Sequence, residues 1–152
     1  MFSNLFYNAK ATIQGGMKFP QIHGIVTFRE AKNGVWVTAK IHGLPQSQTS
    51  CTGRFFGFHI HEGTSCTGSL TDEFANAKSH FNPTNCPHPF HVGDLPSLIE
   101  NNGYAYMTVL INKFKIQDIL GKVVVIHDLP DDFTTQPSGN SGTKIACGKI
   151  EK

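Results

Sequence analysis

No stretch of this chain repeats apolar residues at the 3.6-residue spacing of a capped helix. They fall instead in short runs that alternate or are rich in β-branched and aromatic residues. These runs are KATIQG (10–15), GIVTFRE (24–30), GVWVTAKIHGL (34–44), RFFGFHIHE (54–62), YAYMTVLI (104–111), GKVVVIHD (121–128) and TKIACGKI (143–150). A period of two is what a strand with one face in the core requires. KFKIQDIL (113–120) fits either one more strand or a helical turn. Gly, Pro, Asn and Ser fill the gaps, as in KNG, LPQSQTS, FNPTNCPHP, ENNG and QPSGNSG; these residues favour turns. Many short strands joined by turns imply an all-β antiparallel sandwich or flattened barrel of about eight strands, one domain over 1–152. Two gaps, 63–103 and 128–142, are too long to be turns, and loops of that length in compact domains are usually functional.

Composition excludes several classes. The net charge is +2 with a pI near 8.4, and no Lys/Arg block marks a nucleic-acid surface. The apolar runs fall far short of the ~20 residues of a membrane span. MFSNLFYNAKATIQGG lacks a basic segment followed by a long apolar stretch, so no leader is read and the expected compartment is the cytoplasm. The four cysteines, Cys51, Cys66, Cys86 and Cys147, form no CxxC. That spacing argues against a zinc ribbon or a thioredoxin-type site and leaves room for one or two long-range disulfides.

The histidines carry the chemistry. Six of eight, His59, His61, His80, His88, His91 and His127, lie in or beside the two long loops. In a strand His59 and His61 share one face with Ile60 on the other, a rigid two-nitrogen chelate. HFNPTNCPHPFHVGD then offers His80, His88, His91 and Asp94 within fifteen residues. Imidazoles with one carboxylate suit a tetrahedral zinc ion, and the prolines of this loop lower the entropy lost on closing round a metal. His127 ends the apolar run VVVIHD, where it can serve as a further nitrogen for the HxH pair. His23 and His42 read as structural or solvated.

With GFHIHE, SHFNP, HVGDL, VVIHDLPDDF and GNSGTKIACGKI in that order, the chain resembles copper/zinc superoxide dismutase over about residues 8–150. The resemblance implies a Greek-key fold, copper and zinc as cofactors, and conversion of superoxide to dioxygen and hydrogen peroxide. It implies His59, His61, His80 and His127 as copper ligands, and His80, His88, His91 and Asp94 as zinc ligands, with His80 shared and able to pass a proton. Asp131 matches a carboxylate that joins a copper-ligand and a zinc-ligand histidine, expected here to be His59 and His88. Cys66 and Cys147 match the family's disulfide; Cys51 and Cys86 are left over, and a second bridge between them is the expectation.

Three features depart from the pattern. Lys144 stands where the family usually places a superoxide-guiding Arg, keeping the charge but losing the planar fork. TGSLTDEFANAK (67–78) looks inserted and the segment between His88 and His91 is short, as in bacterial members, so the contact surface of a homodimer cannot be copied from eukaryotic relatives. The 128–142 loop holds Asp128, Asp131 and Asp132 but no Lys. A non-enzymatic protein of this fold that binds or delivers copper or zinc stays open as a second reading.

Overall fold

A computed structural model describes residues 8–152; the reading of the first seven residues as free of a leader lies outside them. The strands are β1 (Ala9–Gly15), β2 (His23–Ala31), β3 (Gly34–His42), β4 (Phe55–Phe56), β5 (Phe58–His61), β6 (Leu98–Ile99), β7 (Ala105–Ile111), β8 (Val123–His127) and β9 (Lys144–Glu151). Seven form one antiparallel sheet in the order β5-β8-β9-β1-β2-β3-β7, and β4 pairs with β6. β9 returns beside β1 while β7 closes the far edge next to β3, a connectivity that fits a Greek key. Ile60 of β5 and Ile41 of β3 share one buried apolar cluster with Ile13, Phe28, Leu98, Ile126 and Ile150. Strands near opposite edges can meet in one core only because the sheet curls upon itself.

Nine strands among the described residues, against about eight expected, arise from two local effects. RFFGFHIHE splits at Gly57, whose N–H donates to the Leu129 carbonyl while its own carbonyl accepts the His127 N–H, both at 2.8 Å. A Cβ there would press on the Ser141 side chain, so the glycine lets the 128–142 loop lie close beneath. β6 is only two residues long, too short to show a period. KFKIQDIL supplies the helical turn α1 (Ile116–Ile119) rather than a strand. Ile116 and Ile119, three apart, bury on one face, and the Asp118 carboxylate accepts the Lys115 N–H at 2.8 Å.

β5 is an edge strand, and residues 63–103 cover that edge. Ile60 N–H donates to the Gly93 carbonyl at 2.9 Å, and Phe81 N–H donates to the Ile60 carbonyl at 2.8 Å. Covering an exposed edge removes an aggregation hazard and here also seats the loop against both histidines of β5. Cys66 is bridged to Cys147 of β9 across 81 residues, beside a small cluster of Phe74, Ala77, Val123 and Val125. The expected second bridge is not formed: Cys51 and Cys86 are free thiols. Cys86 is fixed in its own turn by two hydrogen bonds with the Asn82 amide, at 2.9 and 3.0 Å, with its thiol toward Thr84, whereas Cys51 is exposed. Among the described residues no helix is long and apolar enough to cross a membrane.

Titration of denatured, unreduced protein is expected to find two reactive thiols per chain. Reducing the Cys66–Cys147 bridge should cost about 4–5 kcal/mol of stability from the loop it closes, read as a lowered denaturation midpoint; an unchanged midpoint would contradict this.

Candidate metal centre

All four residues of β5 are buried. Phe58 and Ile60 point into the core, so alternation turns His59 and His61 to the other face, beneath the loops. His127 ends β8 just past a register shift at Ile126/His127, and His80 forms an isolated bridge with His61. Two groups result: His59, His61, His80 and His127, and His80, His88, His91 and Asp94, each with one potential ligand atom per residue within 4.8 Å of the others. Every one of these residues is buried. His80 belongs to both. His23 and His42 lie outside the site, paired across β2 and β3 with stacked rings 5.3 Å apart.

The ring nitrogens divide by role. His59 Nε2 donates to Asp131 Oδ2 at 2.7 Å, His61 Nδ1 to the Lys78 carbonyl at 2.8 Å, and His127 Nδ1 to the Gly142 carbonyl at 3.3 Å. Each bond fixes a tautomer and leaves the other nitrogen as a lone pair. His61 Nε2 and His127 Nε2 then face each other at 3.2 Å, two acceptors with no proton to share. His59 Nδ1, His80 Nε2 and His88 Nδ1 are buried without a hydrogen-bond partner; His88 Nδ1 is 3.0 Å from Asp94 Oδ2 but outside hydrogen-bonding geometry. Buried unpaired polar groups cost roughly 1–3 kcal/mol each. Orphaned lone pairs converging in two adjacent clusters are what cation sites require, so the residues present fit two metal ions.

In the second group His80 Nδ1 is 2.8 Å from Asp94 Oδ1 and His91 Nδ1 is 3.3 Å from the same oxygen. Asp131 joins the groups: its Oδ1 accepts His88 Nε2–H at 2.8 Å while its Oδ2 takes His59. A Cβ at Gly139, where φ is +71°, would overlap both Asp131 Oδ1 and His88 Nε2. Two clamps escaped the sequence reading. Gln136 accepts the His88 N–H at 2.8 Å and donates to its carbonyl at 2.6 Å. Lys113 spreads its ammonium over the Pro89, His91 and Asp94 carbonyls at 3.2–3.4 Å. No spacing rule marks either residue, because both act on backbone far away in sequence.

Burial lowers the imidazoles of His59, His61, His91 and His127. His59 falls to about 4, desolvation outweighing the Asp131 hydrogen bond. His127 falls to about 3, by burial and then by repulsion from His59, and His61 lies well below its usual value for the same leading reason. Burial pushes the Asp131 carboxyl up, but hydrogen bonds from His59, His88 and the Phe133 N–H prevail and hold it well below the carboxylate range. Neutral imidazoles and ionised carboxylates are the forms that bind metal.

A cleft of about 460 Å³ opens over the first group, lined by His61, His80, His127, Glu62, Lys78 and Lys144 among others. Lys144 reaches it, with its ammonium 2.7 Å from Asp72 of the disulfide-bearing loop.

A family model of copper/zinc superoxide dismutase matches residues 22–150. The chain belongs to the copper/zinc superoxide dismutase family, a family of oxidoreductases whose metals are copper and zinc. It is 38% identical over 114 residues to the superoxide dismutase-like protein YojM of Bacillus subtilis, covering 64% of this chain and 56% of that protein. It is 31% identical over 145 residues to superoxide dismutase [Cu-Zn] 2 of Aquifex aeolicus, covering 86% and 80%. The Cu/Zn superoxide dismutase structure from Brucella abortus superposes with a TM-score of 0.79 at 27% identity, covering 95% of this chain and all of that one.

Asp131→Asn replaces one accepting oxygen with a donor facing an imidazole N–H. Retention of both metals against a chelator is expected to weaken roughly 10–100-fold; loss of neither would contradict the bridging role. For the metal-free protein, the sign follows from the lowered imidazoles. At pH 7.5 they are neutral folded or unfolded. As pH falls from 6.5 through about 4, the unfolded chain gains protons that folded His59 refuses, so stability drops across that window. Urea midpoints at pH 7.5, 5.5 and 4.5 test this, and a flat series would contradict it.

Proposed function

We propose that the chain is an active superoxide dismutase, with His59, His61, His80 and His127 holding copper and His80, His88, His91 and Asp94 holding zinc. The observation that carries the reading is the shared His80 ring: one nitrogen sits beside Asp94, and the other is orphaned among the three histidines of the first group. An all-nitrogen set suits Cu(II), and three nitrogens with a carboxylate suit Zn(II). Bound copper would supply the one-electron redox change that takes an electron from one superoxide and returns it to the next, giving dioxygen and, with two protons, hydrogen peroxide.

The protein's own groups supply the rest. Asp131 and the carbonyls of Lys78 and Gly142 fix the tautomers of His59, His61 and His127, so their lone pairs are oriented in advance. His80 Nε2 is the atom that takes up a proton and hands it on, its other nitrogen being held on the Asp94 side. The cleft admits a small anion beside His61, His80 and His127, and Lys144, ion-paired with Asp72, lines its wall. Burial of the histidines keeps bulk water from competing for their lone pairs.

A copper- or zinc-binding protein without turnover is the second reading, supported by the superoxide dismutase-like label of the Bacillus relative. Reconstitution with both metals, followed by superoxide decay in a stopped-flow instrument, separates the two. Decay that requires copper and persists at catalytic protein concentration is expected; a copper-loaded protein that leaves superoxide decay at its spontaneous rate would support the second reading.

A further inference from the structure

We propose that Lys78 is the anion-guiding charge of the copper-side cleft, an inference that rests on the dismutase reading above. Of the two lysines that line this cleft among the described residues, Lys144 is ion-paired with Asp72 at 2.7 Å, so the pair presents little net charge to an approaching anion. Lys78 is exposed, and no salt bridge among the described residues engages its ammonium. Glu62 lines the same cleft and repels anions. Lys78 therefore decides the sign of the rim: with it Glu62 is balanced, and without it the rim turns negative.

The backbone of Lys78 makes the case stronger. Its φ is +60° and its ψ −146°, a mirror-extended conformation that is essentially glycine's own and that costs other residues of order 1–3 kcal/mol. Its carbonyl accepts the His61 Nδ1–H at 2.8 Å, and its N–H donates to Ala75 at 3.1 Å, so the root of the side chain is pinned directly onto a histidine of the first group. Glycine would serve that backbone better. A lysine held in an unfavourable conformation beside the site indicates that the side chain is wanted, and residues held so cluster at functional sites.

Lys78→Gly removes the charge while suiting the backbone, and Lys78→Arg keeps the charge. Two readouts on the copper- and zinc-loaded protein test the role: the second-order rate with superoxide, and the affinity for azide, a small anion, followed by the copper absorption band. At low ionic strength Lys78→Gly is expected to lower both by roughly two- to fivefold, the effect of one unit charge at a cleft rim. The gap should close as salt rises, Lys78→Arg should match the parent, and thermal stability of Lys78→Gly should not fall. Equal rates and azide affinities at low salt would overturn the proposal, as would a deficit that is the same at every salt concentration, which points to a displaced His61. A parent protein that binds azide but leaves superoxide untouched would remove the dismutase reading while the azide comparison still judges Lys78.

Discussion

The carboxylate of Asp131 is the constraint on which the site depends. Its two oxygens accept N–H groups from His59 and His88 at 2.7 and 2.8 Å, histidines from a strand and from a loop. A buried carboxylate is costly alone, and three hydrogen bonds, the third from the Phe133 N–H at 2.7 Å, offset that cost. Their geometric effect is larger than their energetic one. By taking Nε2 of each ring they leave Nδ1 of each unpaired, one in each group, so a single side chain sets lone pairs at two centres. Gly139 makes this arrangement sterically allowed, since any side chain at that position would enter the space between Asp131 and His88.

The fold supplies what the carboxylate organises. A strand normally has a wet face; β5 has none, because its core face carries Phe58 and Ile60 while loops bury His59 and His61. The loop that caps this edge is itself tied at several points: to β9 by Cys66–Cys147, to the β7–α1 connection by Lys113, and to the other long loop by Gln136. Each tie removes freedom the loop would otherwise lose on binding a metal, which is how preorganisation raises affinity. The same burial that excludes water depresses the pKa values of His59, His61, His91 and His127, so protons compete weakly for their lone pairs.

Much of this was legible from residues alone, for specific reasons. Strands such as GIVTFRE and GVWVTAKIHGL show their period because one face is wet and the other dry, and their observed limits differ from the expected ones by two residues or fewer. β6 was invisible because two residues carry no period, and the break at Gly57 because its cause is a loop some eighty residues away. The six histidines and Asp94 announced themselves as candidates by their chemical character, Asp131 only through the family resemblance, and the structure brings them together. The carbonyls of Lys78 and Gly142 could not be read, since any residue has a carbonyl. Lys113 and Gln136 escaped for the related reason that they bind backbone. The Cys51–Cys86 pairing failed because it rested on elimination, while the turn built by Asn82 holds Cys86 in place locally.

The site stands on one imidazole serving two cations. Crystals grown with both metals, with anomalous data collected at the copper and zinc edges, examine that directly. The expected maps show a copper peak among His59, His61, His80 and His127, and a zinc peak among His80, His88, His91 and Asp94, with the His80 ring between them. A single peak, or a His80 ring turned away from either one, would contradict it.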